Sequence, residues 1–429
     1  MSLQDTIYRV AVHAAGPLLG IAAPFSQKVR AGMHGRRGAI ERIVDWARTA
    51  RDATRPLVWL HAPSVGESLM AQAIAAELRD TRPDVQLVFT FFSPSAERAA
   101  RTVGADLTDY LPLDTHAGMQ QLVDALDPAV IAFVRTEIWP QLIAAAGAKG
   151  TRVCMVNAVL SAGSSRLRYG ARWLLSPAYQ RLARIGAVTQ RDAERFSQLG
   201  VNLDNVQVTG DARFDQVHAR VQRLDRRQPL LERLHDEQRT TVVAGSTWPA
   251  DEAEIIPAFA AARKGSPLRL IIAPHEPTPS HLHALEHRLD SLSVSHARLG
   301  VIESDEMKLP EAIVVDRVGV LADLYAVAKV AYVGGGFHDA GLHSVIEPAA
   351  LGVPVIFGPR HGNAREADEL AGTGGGFVTA DGAAFGSVVL DLAANAVHRQ
   401  SASKAARSYV ETKLGGAGRN ARLIAELIG

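Results

Sequence analysis

Tyr332-Val-Gly-Gly-Gly-Phe-His-Asp-Ala-Gly-Leu-His-Ser-Val-Ile-Glu-Pro-Ala-Ala-Leu-Gly-Val-Pro-Val-Ile-Phe-Gly-Pro359 reads as strand, glycine loop, helix, strand. Val330 to Val333 is a short apolar run of the kind buried in a parallel sheet. Gly334, Gly335 and Gly336 let the backbone approach a ligand closely or take φ > 0. The pattern predicts a helix over Ser344 to Leu351, ended by Gly352 with Pro354 beyond, and a strand over Val355 to Phe357. A glycine loop feeding a helix N-terminus offers unpaired N–H groups to an anion, typically a phosphate. Glu347, one turn inside, is placed to accept from sugar hydroxyls. The same stretch fits a tight corner whose glycines serve packing alone, and by itself it does not separate the two.

On the N-terminal side of this stretch the alternation of strand and helix continues. Thr241 to Ala244, Leu268 to Ala273 and Ala312 to Val315 are further strands, with helices over Pro249 to Lys264 and Ser280 to Asp290. An earlier series runs Leu57 to His61, Val85 to Phe92, Tyr110 to Asp114, Ala129 to Val134, Arg152 to Asn157, Ala187 to Thr189 and Val206 to Thr209. Helices fall between, including Glu67 to Arg79, Met119 to Leu126 and Arg172 to Ile185. Polar, arginine-rich Gly210 to Arg239 reads as linker and opening helix. The chain is thus α/β, with two consecutive doubly wound parallel units. Such sheets bind ligands beyond the carboxyl ends of their strands, so a cleft between the units is the expected site.

Length and charge agree. The 429 residues exceed a usual single core. Against 46 Lys+Arg stand 45 Asp+Glu, so no global field draws the chain to nucleic acid. Cys154 is the only cysteine, which excludes an intramolecular disulfide and a cysteine metal site. Its apolar run, Val153 to Val156, makes it a core residue. No P-loop, G-x-G-x-x-G, H-E-x-x-H or G-x-S-x-G stands in a place to define the chemistry. His338, Asp339 and His343 do not form a convincing metal set, and no metal or cofactor is expected.

At the N-terminus, Leu3, Ile7, Val10, Ala11 and Ala14 share one face at helical spacing. The apolar stretch Val10 to Phe25, broken by His13, Gly16, Pro17, Gly20 and Pro24, is expected to be too short and interrupted to span a membrane. Lys28, Arg30, Arg36, Arg37 and Arg42 follow. An apolar helix before a basic cluster predicts docking at an anionic membrane surface; a helix packed on its own domain is the alternative.

Candidate chemistry lies at strand ends. In His61-Ala-Pro-Ser-Val-Gly-Glu67, Glu67 is placed for general-base work on a hydroxyl. Its S-x-x-E spacing from Ser64 also matches a capping box, and spacing alone favours the cap. Arg135-Thr-Glu-Ile-Trp-Pro140 offers Glu137, to orient a substrate or to face the helix dipole. Gly245-Ser-Thr247 suits phosphate binding without a lysine. Pro274-His275-Glu276, the glycine stretch with His343, Ser344 and Glu347, and Asn363-Ala-Arg-Glu366 complete the set.

These pieces together resemble the 3-deoxy-D-manno-octulosonic acid (Kdo) transferases of lipid A assembly. The resemblance rests on 61–67, Thr136-Glu-Ile-Trp-Pro140, Asn157-Ala, Val208-Thr-Gly-Asp-Ala-Arg-Phe-Asp215, Gly245 to Thr247, Val333 to Gly335, Glu347 to Pro359 and Asn363 to Glu366, in that order along almost the whole chain. It implies a GT-B glycosyltransferase with two Rossmann-like domains facing a central cleft. Residues 1–45 would associate with the membrane, 46–212 would bind the acceptor, and 213–429, with the final helices, the CMP-sugar. It implies inverting, metal-free transfer from CMP-Kdo to a lipid A precursor at the cytoplasmic face of the bacterial inner membrane. Glu67 becomes the general base, which sets aside the cap reading, and Glu137 the second carboxylate. The donor would contact Gly245, Ser246, Thr247, Pro274, His275, Gly334, Gly335, Gly336, His343, Ser344, Glu347, Asn363 and Glu366; the acceptor, Ser64, Gly66, Arg36 and Arg37.

The sequence departs from many relatives. It has Pro274-His275-Glu276 for Pro-Arg-His, Gly341-Leu342-His343-Ser344 for Gly-Gly-His-Asn, and Val159 where an arginine is frequent. The competing expectations are a GT-B transferase using a UDP-sugar and a non-catalytic nucleotide-sugar-binding protein.

Overall fold

The structure, a computed structural model, describes residues 3–305 and 307–428. The chain forms two compact units, Met1–Gln216 with Lys413–Gly429, and Val217–Thr412.

The first unit is built on β1 (Leu57–Ala62), β2 (Gln86–Phe91), β3 (Leu107–Tyr110), β4 (Val130–Val134), β5 (Arg152–Ala158), β6 (Arg184–Ala187) and β7 (Val206–Val208). Their order is β3-β2-β1-β4-β5-β6-β7, all parallel. Every residue of β1, β2 and β4 is buried, because helices cover both faces. This is why these strands read as continuous apolar runs rather than alternating ones. The helix Val65–Thr81 after β1 buries Met70, Ala71, Ile74, Ala75 and Leu78 at helical spacing. Each large side chain so buried contributes about 1.5–3 kcal/mol.

The second unit repeats the plan with β8 (Thr240–Thr247), β9 (Leu268–Pro274), β10 (His296–Arg298), β11 (Ala312–Val314), β12 (Val330–Val333), β13 (Val355–Phe357) and β14 (Gly376–Val378). The order is β10-β11-β9-β8-β12-β13-β14, again parallel. Val242, Ala244, Leu270, Ile272 and Tyr332 from its strands meet Phe259 and Phe385 from its helices in one core.

Several expectations change. The final helix, Gly416–Ile428, packs in the first unit, on Val65–Thr81, rather than with the second half. Its buried Asn420 fixes it there: Oδ1 accepts from the Asn157 N–H and the Thr209 hydroxyl, both at 2.9 Å. The helix before β6 stops at Tyr179, and Ile185 is strand. The helix of the glycine stretch is only Ile346–Ala350. Its start is delayed because Asn363 holds Leu342 through both backbone groups, at 2.9 Å each, keeping that residue out of the helix. Gly352, at φ 74°, ends it as expected.

The N-terminal segment forms one helix, Leu3–Ala22, continued by a 3₁₀ turn Ala23–Phe25. Pro17 removes one hydrogen bond without ending it. Contrary to the expectation of a broken segment, Leu3–Phe25 is long and apolar enough to cross a membrane by length and composition. Its first half is tied down by polar groups. Arg9 donates to Gln141 Oε1 at 3.0 Å, and Tyr8 hydrogen-bonds Asp114. Leu3, Ile7, Val10, Leu18, Ile21 and Phe25 are left exposed along a stripe.

Candidate active site

In the first unit the candidate residues gather at the carboxyl ends of β1, β4 and β5. Glu67 stands in the first turn of Val65–Thr81. Ser64 is the N-cap residue, yet its side chain makes no capping bond; its carbonyl accepts from the Ser68 N–H at 2.9 Å and hydroxyl at 2.8 Å. The capping box that the S-x-x-E spacing predicts is therefore not formed. Glu67 Oε2 is buried without a hydrogen-bond partner among the described residues. Gly66 lies inside the helix with open space where a Cβ would stand, so no tight turn requires it.

Glu137 follows β4 in the loop before the helix Pro140–Lys149. Burial raises its carboxyl above the ordinary range; the Arg166 guanidinium opposes that, and the Glu67 charge adds to it. The Arg166 guanidinium and the Glu67 charge thus act on the Glu137 carboxyl in opposite directions. The loop is strained and braced. Arg135 has φ 76°, a conformation that side chains other than glycine rarely take. Tyr179 donates to the Thr136 carbonyl at 2.7 Å, and the Thr136 hydroxyl to the Val159 carbonyl at 2.5 Å.

His61 supports the same loop from within the core. Trp139 Nε1–H donates to His61 Nε2 at 3.0 Å, and an indole N–H can only donate. His61 is therefore neutral with its proton on Nδ1, facing Thr90 Oγ1 at 3.0 Å. Burial pushes its pKa down to about 3. It is a structural histidine.

Of the expected acceptor arginines, Arg37 is exposed. Arg36 is spent on packing: its guanidinium lies 3.6 Å from the Phe92 ring centroid and donates to the Phe92 carbonyl. Burial lowers its pKa to about 10.

In the second unit, the expected donor residues lie at the ends of β8, β9, β12 and β13. Ser246 has φ 54°, at a register shift between Gly245 and Thr247. Gly245 must be glycine, since a Cβ would stand 2.1 Å from the Tyr325 hydroxyl. Thr247 is fully buried and donates to Glu252 Oε1 at 2.9 Å, which also faces His281 Nε2. Its hydroxyl is thus engaged internally. Gly334 and Gly336 allow close backbone crossings, at the Ser246 carbonyl and at Gly358. The Gly335 and Phe337 N–H groups go to Asp251, at 2.8 and 3.2 Å.

Pro274 ends β9, buried, and His275 projects beyond it, exposed. His275 stacks on Trp248 at 4.8 Å and meets His343 at 4.4 Å between ring centroids. His338 lies parallel to Trp248 at 4.3 Å. Trp248 Nε1–H donates to His343 Nε2 at 3.2 Å, which keeps that ring neutral; burial, then the neighbouring His275, lowers its pKa. Ser344 accepts from the Ile346 N–H at 3.3 Å. Glu347 is half-buried in the short helix, and its charge adds to the burial that raises the Tyr325 phenol. Asn363 serves the backbone of Leu342 with both side-chain groups. Glu366 is buried in the first turn of Arg365–Gly372.

Trp248, Asp251, Tyr325 and Arg166 escaped the sequence reading. Only Asp251 had a usable signal, an acid in a helix's first turn beside Pro249. Among the described residues no group of His, Cys, Asp and Glu side chains suits a metal ion.

Residues 34–216 match the model of the 3-deoxy-D-manno-octulosonic-acid transferase family. The chain is 29% identical to a 3-deoxy-D-manno-octulosonic acid transferase of Bordetella pertussis, with 99% of each chain covered. It is 27% identical to the enzyme of that name from Haemophilus influenzae, with 70% of each covered. Among solved structures, it superposes on a UDP-GlcNAc 2-epimerase of Neisseria meningitidis with a TM-score of 0.60, covering 86% of this chain and 99% of that one at 12% identity. A glycosyltransferase of Rickettsia africae gives 0.56, covering 87% and 98% at 9% identity. At such identities the structural likeness is one of fold, here two Rossmann-like units of GT-B type. On sequence the chain is that of a glycosyltransferase, similar along its full length to the 3-deoxy-D-manno-octulosonic acid transferases.

Proposed function

We propose that the protein transfers Kdo from CMP-Kdo to a lipid A precursor in lipopolysaccharide synthesis, with inversion at the anomeric carbon and without a metal. The observation that carries this reading is the Glu67 carboxylate, held at a strand end, not capping its helix, and with one buried oxygen unpartnered among the described residues. Glu67 accepts the proton of an acceptor hydroxyl as that oxygen bonds to the anomeric carbon, and CMP departs with the bonding electrons. Positioned base catalysis of this kind is worth roughly 10²–10⁴-fold. Glu137, half-buried and acted on by the Arg166 charge, shapes the charge around Glu67. The second unit holds the donor, its nucleotide near Trp248, His275 and His343 and its ribose near Glu347. Similarity to the 3-deoxy-D-manno-octulosonic acid transferases and the clustering of these residues at the strand ends support that assignment.

We further infer that the enzyme works at the cytoplasmic face of the inner membrane as a peripheral or monotopic protein. The exposed stripe from Leu3 to Phe25, with Lys28, Arg30 and Arg37 following, supports docking on anionic lipid. The polar ties at Tyr8 and Arg9 favour a helix lying along the surface over one released to span it. Incubation with CMP-Kdo and a lipid A precursor, following CMP release and product mass, tests the activity. Transfer of one or more Kdo units is expected, and consumption of a UDP-sugar instead would overturn it.

A further inference from the structure

Asp251 is fully buried in the first turn of the helix Pro249–Ala262. Oδ2 accepts from the N–H of Trp248 at 2.9 Å and of Gly335 at 2.8 Å. Oδ1 accepts from the Tyr332 hydroxyl at 2.7 Å and from the Phe337 N–H at 3.2 Å. Each oxygen thus has two hydrogen-bond partners, four in all, three of them backbone N–H groups. Such a partner set is what allows a carboxylate charge to persist out of water.

The consequence falls on the glycine loop. The Gly334 N–H is also committed, to the Gly245 carbonyl at 2.8 Å. Gly334, Gly335 and Phe337 therefore have their donors occupied before any ligand arrives. The loop's shape is fixed from the other side too, since a Cβ on Gly335, at φ 94°, would stand 2.1 Å from the Gly341 carbonyl. A phosphate brought to these N–H groups would have to displace a buried like charge.

We propose that Asp251 is the resident anion of the glycine loop: a positioning residue that sets the shape of 334–337 for the donor and keeps the donor's phosphate off these N–H groups. This rests on the reading that the second unit binds the CMP-sugar. Asp251 acts through the loop and does not touch substrate. Because the same oxygen holds the Trp248 and Gly335 N–H groups, it also couples the loop to the Trp248–His275–His343 stack.

The deciding experiment is amide hydrogen exchange on the full-length wild-type protein, with and without CMP. The Trp248, Gly335 and Phe337 amides should be protected in the nucleotide-free protein, and CMP should leave that protection essentially unchanged. Fast exchange without nucleotide, with protection gained only on adding CMP, would overturn the proposal. Calorimetric titration of the same sample with CMP separates the two layers: no binding would overturn the donor assignment, whatever the exchange pattern. As a second arm, Asp251→Asn turns an N–H donor toward donors. It should raise the donor KM roughly tenfold, the loss of about one hydrogen bond, and leave the acceptor KM unchanged. Tyr332→Phe, which removes one bond and keeps the ring, should raise the donor KM less. An unchanged donor KM in a folded Asp251→Asn protein would contradict the assignment. Should that variant not fold, the wild-type exchange pattern decides.

Discussion

Glu67 and Glu137 are electrostatically coupled in the first unit. Burial lifts the Glu137 carboxyl above its ordinary range, Arg166 pulls it back, and the Glu67 charge lifts it again. Burial, reinforced by that charge, makes Glu137 hold its proton to higher pH than an exposed carboxyl would.

The coupling predicts a pH effect. Arg166 lowers the Glu137 pKa, so Arg166→Gln should raise it further. Glu137 would then stay protonated to higher pH, and the acid limb of kcat/KM should move to higher pH. Arg166→Lys, keeping the charge, should restore much of the wild-type profile. The measurement is the pH profile of initial rates; identical acid limbs in all three proteins would count against the coupling.

Trp139→Phe removes the donor that faces His61 Nε2. A buried acceptor left unpaired costs about 1–3 kcal/mol. Urea denaturation should show a loss of that order. Activity should fall as well, because Trp139 follows Glu137 by two residues in the same loop. A variant as stable as wild type would show that the His61–Trp139 bond adds nothing to the fold.

His343 gives the second unit an acid sensitivity. Its pKa lies below the ordinary 6.5, so above 6.5 both folded and unfolded chains hold it neutral and its contribution is intact. As pH falls below 6.5 the unfolded chain binds the proton first, and stability drops. Protonation also removes the acceptor for Trp248 Nε1–H. Denaturation midpoints should decrease on acidification from that point, and His343→Asn should flatten this part of the curve. Equal slopes in both proteins would remove His343 from the account.

The exposed stripe predicts lipid binding. Val10→Asp, Leu18→Asp and Ile21→Asp, combined, should abolish co-sedimentation with vesicles containing anionic lipid while leaving the fold unchanged. Raised salt should weaken the wild-type association through the basic residues. Full retention of the triple variant on vesicles would contradict docking through this helix.

Much of the fold was legible because its central strands are buried on both faces. Runs such as Leu57–Ala62 and Val130–Val134 have no other reading in an α/β chain. The edge strands β10 and β14 were not legible. They are three residues long, and of their residues only Gly376 is buried. Glu67 and Glu137 stood out by position at strand ends, but the S-x-x-E spacing pointed to a cap that Ser64 does not make. The first-turn position of Asp251 was legible, but its bonds to Tyr332, Gly335 and Phe337 were not, because those partners lie in a distant stretch. The fate of the final helix was hidden likewise, since Asn420 meets Asn157 and Thr209 only in the folded chain.

The most direct test is transfer by Glu67→Gln. This change keeps the side chain's size and removes its basicity. With CMP-Kdo and a lipid A precursor, the variant should bind CMP and unfold at the wild-type midpoint, while its rate of CMP release and product formation falls roughly 10²–10⁴-fold. Transfer at the wild-type rate by a correctly folded Glu67→Gln protein would contradict the assignment of Glu67 as the base.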